Sequence, residues 1–551
     1  MTIHDRIPII DLFAGPGGLG EGFSRYPFGE GDPLFRIALS IEKEENAHRT
    51  LTLRAFFRQF APGDVPEAYY DYLKGLITRE ELFDYDDVCR EAAKHALDEA
   101  HCIELGDANS AKPDKAKRNR VRRMIKDRIA GKKNWVLIGG PPCQAYSLAG
   151  RSRMLGVVRK DGESDSAYAK RCGAVRNDFE KDHRHFLYRE YLSIIADHWP
   201  PVFVMENVKG LLSAKVDGVP VFPKIREDLT DPKKALGKRG KGHSYRICSL
   251  AVSGLIPGEG LEGRDFLLRA EDHGVPQNRH RVILLGIRDD LDPTAASTLE
   301  RSQSPCLREV FNGLPSLVPG VSKPKNKDLF EVAREILKSP WMRDLKKGNG
   351  AGSPDCSKKM HRLIAEAMKQ LLAGDFGTGG EYIRKTRMRS VPGELGNWLQ
   401  DPRLGGVCNH STRNHMDSDL HRYVFCSVFA SVHGRSPKLA DFPDVLLPDH
   451  SNAKVGGKLD KFADRFRVQM QGALATTITC HISKDGHYFI HPDPSQIRSL
   501  TVREAARIQT FPDNYFFEGG RTAQYHQVGN AVPPYMAHQI AGVVARILSV
   551  E

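Results

Sequence analysis

The sequence predicts an α/β protein, with a doubly wound sheet that carries helices on both faces and a second, loop-rich domain. Two observations predict the sheet. The chain opens with a strand, a glycine-rich turn and a second strand that ends in an acid, the order of a nucleotide-binding βαβ unit. Farther along, polar motifs follow buried strands at the ends where open α/β sheets place their ligands. The second domain is predicted by a composition rich in Gly, Pro, Ser, His and Lys after about residue 290.

Short apolar runs predict the strands of the sheet. Such runs, bounded by glycine or polar residues, are typical of strands buried on both faces. The predicted strands are 7–13, 35–42, 135–139, 202–205 and 281–287. Short strand-like pieces are also predicted within 473–492, and Thr501 with Glu504 forms a capping-box pattern at the start of a late helix.

The length of 551 residues predicts more than one domain. We expect a first domain at 1–289, with a helical insertion at about 50–105. A second domain follows at 290–495. A hinge and a final helix, at 496–551, are expected to return to the first domain.

Composition and charge narrow the class of protein. Hydrophobic residues make up 40% of the chain, which is globular, and the formal net charge is +12, which suits a polyanionic partner such as nucleic acid. No run of about 18 apolar residues predicts a membrane span, and we expect no signal peptide. Ten cysteines without a CxxC pair favour free thiols. Eleven Lys and Arg at 112–133 form either a solvated helix face or a DNA backbone contact.

Several motifs carry candidate chemistry. Cys143 lies in PPCQ at a strand end, where a thiolate would be a nucleophile, although a single loop cysteine is usually inert. Glu206 in ENV can act as an acid, or merely cap a helix. Gln277, Arg279 and Arg281 alternate in QNRHR, so they share one side of an extended segment and either bind an anion or are solvated.

Taken together, the motifs resemble the cytosine-C5 DNA methyltransferase family. The resemblance covers about 1–48, 134–151, 180–213, 270–289 and 496–545, whereas 50–133 and 290–495 match only in position. The motifs are DLFAGPGGLGEGF, ALSIE, GPPCQAYS, VMENVKG, HGVPQNRHRVILLGIR, TVREAARIQTFPD and YHQVGNAVPP. The resemblance implies a Rossmann-like methyltransferase sheet with a target-recognition domain at 290–495.

The resemblance also implies a cofactor, S-adenosylmethionine, and the residues that hold it. Glu42 would bind the ribose hydroxyls, and Asp107 would face the adenine, although the preceding insertion makes its alignment loose. The other implied cofactor residues are Phe13, Gly15, Pro16, Gly18, Pro142, Leu187, Asn530 and Ala531.

By the same resemblance, Cys143 is the nucleophile, which adds to C6 of cytosine so that C5 can accept a methyl group. Glu206 would contact N3 and the exocyclic amine, Arg281 would hold O2, and Arg279 would support the site. The target base must be flipped out of the duplex. The implied DNA contacts are Gln144, Ser147, Arg151, Arg153 and Gln277, most of them in a loop that extends to Asp182.

The resemblance implies double-stranded DNA as partner, and no membrane, in the cytoplasm of a bacterium at its nucleoid. It implies a restriction-modification or phage-defence system, in which either a nuclease or another defence component would be a further partner. A metal site built on Cys408, His410, His415, His421 and Cys426 is not expected, because their spacing fits no standard site. Three alternatives are a tRNA cytosine-C5 methyltransferase, a nicotinamide-dependent oxidoreductase and a non-catalytic DNA-binding relative. Only a methyltransferase gives roles to PPCQ, ENV and QNRHR.

Overall fold

The structure is a computed structural model of the chain. It describes residues 6–29, 31–61, 63–106, 114–142, 184–216, 219–253, 259–323, 327–350, 352–385, 391–448 and 464–549. Within these residues, no helix has the length and apolar character needed to span a bilayer.

An eight-stranded sheet lies at the centre of the region before residue 290, which we call the first lobe. Its strand order is β3-β2-β1-β4-β5-β11-β8, with β9 paired to β11. The strands are β1 (Ile7–Leu12), β2 (Phe35–Glu42), β3 (Ala100–Cys102), β4 (Val136–Gly139), β5 (Val202–Val208), β8 (Tyr245–Cys248), β9 (Leu267–Arg269) and β11 (His280–Arg288). The first five strands are parallel, whereas β11 is antiparallel to β5 and β8. All five strands predicted from the sequence are confirmed.

Helices cover both faces of this sheet, as a doubly wound fold requires. One face packs on α6 (Lys115–Ile129), α7 (Arg184–His198) and α8 (Val221–Thr230), which is followed by the short α9 (Pro232–Ala235). The other face packs on α1 (Gly18–Ser24) and on the last helix, α18 (Pro534–Ile547). A side chain on Gly18 would lie 2.2 Å from the carbonyl oxygen of Val532, so glycine permits this close approach.

The segment between β2 and β3 forms four helices with a core of their own. They are α2 (Glu45–Phe57), α3 (Glu67–Leu73), α4 (Arg79–Phe83) and α5 (Asp87–Glu99). Their core also includes Leu404 and Cys408, from distant parts of the chain. The hydroxyl of Tyr70 donates to Asp401 at 2.7 Å, and that of Tyr72 to Glu518 at 2.7 Å. The insertion therefore packs against two later segments of the chain.

The region after residue 290 contains more helix than its composition predicts. Its helices are α10 (Leu307–Val310), α11 (Leu329–Lys338), α12 (Pro340–Lys347), α13 (Pro354–Ala373), α14 (Gly393–Leu399) and α15 (Asp417–His433). The strand-like pieces predicted within 473–492 are largely wrong. Only Ala475–Thr476 is a strand, β16, and it pairs with β10 (Gln277–Asn278), whereas Cys480–Ser483 and His487–Phe489 are 3₁₀ turns.

Small strand pairs complete this region and the edge of the first lobe. A long pair joins β13 (Gly379–Arg384) to β14 (Gly406–Ser411), and β12 (Val321–Lys323) pairs with β15 (His415–Met416). In the first lobe, β6 (Lys215–Val216) and β7 (Val219–Pro220) form a short hairpin.

The segment that follows, residues 496–520, is named the hinge below. It contains three buried arginines, Arg498, Arg503 and Arg507. It contains α16 (Val502–Ile508) and leads to α17 (Arg521–Asn530) and α18. The predicted capping box at Thr501 and Glu504 is confirmed. Arg498 forms two 2.7 Å bonds to Glu504, and Arg503 donates to three backbone carbonyls. Burial would raise the pKa of Glu504, but the neighbouring Arg498 lowers it below the usual range.

Arg507→Met is expected to lower the free energy of unfolding by about 3–5 kcal/mol, because it leaves a buried charge without its partner. Arg507 forms two 2.8 Å bonds to Asp513, and both side chains are buried. It also donates to the carbonyls of Val310 and Asn312. Chemical denaturation of the two proteins measures the difference.

Arg435→Met is a matched control. Arg435 also forms two bonds to an aspartate six residues later, Asp441, at 2.7 and 2.8 Å, but its side chain is 51% exposed. Exposed pairs contribute about 0–1 kcal/mol. Equal losses of stability in the two variants would contradict the assignment of Arg507 as a buried tie of the hinge.

Candidate active site

The glycine-rich turn after β1 surrounds the carboxylate at the end of β2. The backbone N–H of Gly15 donates to Glu42 at 2.8 Å, and the N–H groups of Lys43 and Glu44 donate to its other oxygen at 2.8 Å. Gly15 has a φ of 57°, which favours glycine, and open space lies where its side chain would be. These bonds fix the carboxylate at the mouth of the turn.

The ends of β4 and β5 lie side by side. The side-chain amide of Asn207 donates to the carbonyl of Pro141 at 3.3 Å, which ties the ENV segment to the PPCQ segment. Beside it, Glu206 forms an ion pair with Arg281, with 2.8 Å between Oε1 and Nε. Both side chains of this pair are mostly buried. A carboxylate and a guanidinium thus face the same space at the sheet edge.

Arg279 is fully buried behind this pair and ties backbone segments together. It donates to the carbonyls of Ile478 at 2.8 Å and Ala531 at 2.7 Å. Burial lowers the pKa of Arg279 well below its usual range, Arg281 adds to this effect, and Glu206 opposes it. In this structure Arg279 therefore positions the loops of the site, and it does not line the cavity.

The position of Gln277 does not fit the predicted DNA contact. Its side chain is fully buried. Its amide nitrogen donates to the carbonyl of Ile508 at 3.0 Å and to Gln509 at 2.6 Å, while its oxygen accepts from the N–H of Ile478. Both ends of the amide are used inside the protein, so Gln277 joins the sheet edge to the hinge.

These elements enclose one cavity of about 860 Å³. Glu42 lies on one wall, and the Glu206–Arg281 pair lies on another. A volume of this size falls in the range of small-molecule sites. The predicted cofactor residues that line it are Phe13, Gly15, Pro16, Gly18, Glu42, Pro142, Leu187, Asn530 and Ala531.

Six predicted site residues lie outside the described residues. They are Asp107, Cys143, Gln144, Ser147, Arg151 and Arg153. The described segment 114–142 ends at Pro142, which lines the cavity and directly precedes Cys143 in the sequence.

Part of the cavity wall consists of residues that were not predicted from the sequence. Ile41, Ile103 and Leu105 supply an apolar part of it. Thr522 and His526 also line it, from α17. They precede the predicted Asn530 at intervals of four residues, so all three lie along one helix face. This four-residue spacing before Asn530 could have predicted both residues from the sequence.

His410, close to the hinge, has hydrogen-bond partners within the protein for both of its ring nitrogens. His410 is buried, with Nδ1 2.8 Å from the hydroxyl of Thr501 and Nε2 2.9 Å from the carbonyl of Pro315. Because a carbonyl only accepts, Nε2 carries the proton and the hydroxyl donates to Nδ1. Both ring nitrogens are occupied in the neutral form.

Stability is expected to fall as the pH drops from about 6.5 to 4. Burial lowers the pKa of His410 to about 4, whereas an unfolded histidine titrates near 6.5. In this window the unfolded chain binds a proton that the folded chain does not, which costs roughly 1.4 kcal/mol per pH unit. Melting temperature measured against pH should show the slope, and His410→Asn should make it shallower.

The same substitution at His95 serves as comparison. The side chain of His95 is 55% exposed and lies 3.1 Å from Glu91. His95→Asn should leave the acid slope as in the parent protein. An unchanged slope in His410→Asn would show that His410 does not cause it.

Comparison with known proteins decides the family. The model of the C-5 cytosine-specific DNA methylase family matches residues 107–232 and 262–546. The chain belongs to this family. The predicted family and methyltransferase fold are thereby confirmed, the protein is a DNA (cytosine-5-)-methyltransferase, and the tRNA alternative is not favoured. The family implies a methyl-donor cofactor and DNA as substrate.

Individual relatives are similar over most of the methyltransferase. Type II methyltransferase M.Bpa9945I of Bacillus paralicheniformis is 31% identical, covering 98% of this chain and 99% of its own. Type II methyltransferase M.AgeI of Thalassovita gelatinovora is 26% identical, covering 75% and 83%. A crystallised prophage-encoded E. coli protein assigned as a DNA modification methyltransferase is 17% identical, with a TM-score of 0.45 and coverage of 98% and 99%.

Proposed function

We propose that this methyltransferase flips a cytosine at a specific duplex site and methylates C5 with S-adenosylmethionine. The observation that supports this proposal is a single cavity with two chemically different walls. One wall carries the carboxylate of Glu42, and the other carries the Glu206–Arg281 pair. A cofactor and a flipped base can therefore meet in one space, beside the strand that leads to Cys143.

The residues of the Glu42 wall fit S-adenosylmethionine. The Glu42 carboxylate, fixed by three backbone N–H groups, can accept from the ribose hydroxyls. Ile41, Ile103 and Leu105 offer an apolar wall for the adenine. When bound, the cofactor supplies an electrophilic methyl group. The cavity walls orient it and exclude water from the reacting atoms.

The chain's own residues prepare the cytosine. The thiolate of Cys143 would form a bond to C6, which pushes electron density onto C5. Glu206 would hold N3 and the exocyclic amine, and Arg281 would hold O2, where negative charge develops. After C5 has gained its methyl group, loss of the C5 proton and cleavage of the bond to Cys143 release 5-methylcytosine.

The wider role follows from the DNA substrate. We assign base recognition to the 290–495 region, with the exception of residues near Asp401, which pack on the insertion. Relatives named type II methyltransferases support a place in a restriction-modification system, with a nuclease that cuts unmodified DNA. Such an enzyme would act in the cytoplasm, at the nucleoid.

Base-resolution sequencing tests the proposal. DNA from a methylation-free host that expresses the protein should carry 5-methylcytosine at one short motif. Purified protein with labelled S-adenosylmethionine should methylate the same motif in a duplex, and not an RNA of equal sequence. Methylation of RNA alone, or no methylation of any DNA by folded protein, would overturn the proposal.

A further inference from the structure

Helix α6 presents a row of cations that no described part of the protein neutralises. Its buried face consists of Val121 and Ile125, and the opposite face carries Lys115, Arg120, Arg123 and Lys126. We call these four residues the basic face. The structure describes no ion pair for any of them, and Asp127 is the only acid within the helix.

The remaining arginines of α6 have a different role. Arg118 pairs with Glu190 at 2.5 Å, Arg122 pairs with Asp197 at 2.5 Å, and Arg128 pairs with Asp98. These pairs hold the helix on α7 and on the end of α5. The three arginines that attach α6 to its neighbours therefore each have an acidic partner. The four residues of the basic face are not needed for this packing.

The basic face is unfavourable for the helix itself. Arg120, Arg123 and Lys126 follow one another at intervals of three, where like charges repel each other along a helix. Lys115 lies in the first turn, where the helix dipole disfavours a cation, and of the four residues only Lys126 lies in the last turn, where the dipole favours one. Local structure therefore does not explain the charge, whereas a row of cations is complementary to a phosphate backbone.

The first turns of α6 lie beside the active site, and the rest of the helix runs toward the opposite edge of the sheet, where Arg122 shares Asp197 with Lys238. Leu187 of α7 lines the cavity, and Glu190, about one turn farther along, pairs with Arg118. The first turns of α6 therefore lie near the level of the cavity. The helix is about 22 Å long, which corresponds to several phosphate spacings along a duplex.

We propose that the basic face binds the phosphates of substrate DNA beyond the target site. The inference rests on the proposed function and adds a second DNA contact outside the cavity. None of the four residues lines the cavity, so the contact should strengthen binding without changing the chemical step. It would be independent of sequence, because phosphates carry no base information.

The test compares two triple variants on duplexes from about 12 to about 40 base pairs. The first is Arg120→Gln, Arg123→Gln and Lys126→Gln. The control is Lys234→Gln, Arg239→Gln and Lys241→Gln, which removes three exposed cations just before β8. Because β8 runs in the same direction as β5, these residues lie at the sheet edge opposite the cavity. The variant spares Lys238, whose partner Asp197 also pairs with Arg122 of α6.

The α6 variant should bind the shortest duplex like the parent and lose on the order of 10- to 100-fold affinity on the longest. A plot of the logarithm of its affinity against the logarithm of salt concentration should have a slope smaller in magnitude by about 2.7, the value for three phosphate contacts. Its kcat on saturating DNA should equal that of the parent, and the control variant should match the parent throughout.

Two results would overturn the inference while the parent remains an active DNA methyltransferase. One is a salt dependence in the α6 variant equal to that of the control. The other is an equal loss on all duplex lengths, which would place the contact inside the target site. A parent without activity on any DNA would instead count against the proposed function.

Discussion

Cys143→Ala is expected to abolish methyl transfer and to leave DNA binding intact. Without the thiolate, no group can add to C6, so C5 of cytosine remains too weak a nucleophile to accept the methyl group. Loss of a nucleophile that acts as a unit with its neighbours lowers kcat by on the order of 10⁴-fold or more. Transfer of labelled methyl groups to a duplex measures the rate, and fluorescence anisotropy measures the binding.

Cys102→Ala is the matched control. Cys102 is an exposed cysteine at the end of β3, next to cavity-lining Ile103. Partial withdrawal from water raises the pKa of its thiol, and the nearby carboxylates of Glu42, Glu45 and Glu44 add to the effect, so its thiolate is disfavoured. This variant should methylate at the parental rate. Methylation by Cys143→Ala, or equal loss in both variants, would contradict the assignment of Cys143.

The sheet could be predicted because its strands are local and almost wholly apolar. The run from Ile7 to Leu12 is buried at every position, and β2 begins and ends at the residues that the sequence predicts. The glycine turn could also be predicted, because its glycines are evident in the sequence. The structure gives the reason for one of them: the close approach of Val532 leaves no room for a side chain at Gly18. The antiparallel direction of β11 was not predicted, because it depends on how the chain returns to the sheet.

The helices after residue 290 were harder to predict for a physical reason. In α15 nearly every residue from Asp419 to Ala430 is buried. A helix that is buried on all sides has no polar stripe, so its sequence lacks the 3.6-residue period of an amphipathic helix. In α11 and α13 one face is buried and the other exposed, so these two helices could have been recognised.

The cavity wall shows the limit of motifs taken singly. Nine cofactor residues implied by the family resemblance line it, as do Glu206 and Arg281, yet Gln277 and Arg279 of the QNRHR motif are buried behind it. Their spacing of two residues predicts that the two side chains share a side of the strand, but it does not predict which side faces solvent. Their partners, Gln509 and Ala531, lie more than 200 residues away, and only the folded chain brings them together.

Glu206→Gln is expected to lower kcat by about 10²- to 10⁴-fold, the usual contribution of a positioned acid. The amide keeps the shape of the side chain but loses the charge that pairs with Arg281 at 2.8 Å and the ability to hold a proton toward N3. Binding of S-adenosylmethionine should not change, because Glu42 and the glycine turn are untouched. Single-turnover rates and cofactor titration separate the two effects.

Glu104→Gln tests whether any carboxylate near the cavity would give the same result. Glu104 lies between the cavity-lining Ile103 and Leu105, and it forms an exposed pair with Lys43 at 3.4 Å. Exposed pairs contribute little, so this variant should keep its kcat within about twofold. A Glu206→Gln enzyme with more than about a tenth of the parental kcat would lack the loss expected for a positioned acid. The carboxylate would then act only as a partner of Arg281, and the chemistry at N3 would have to come from another group.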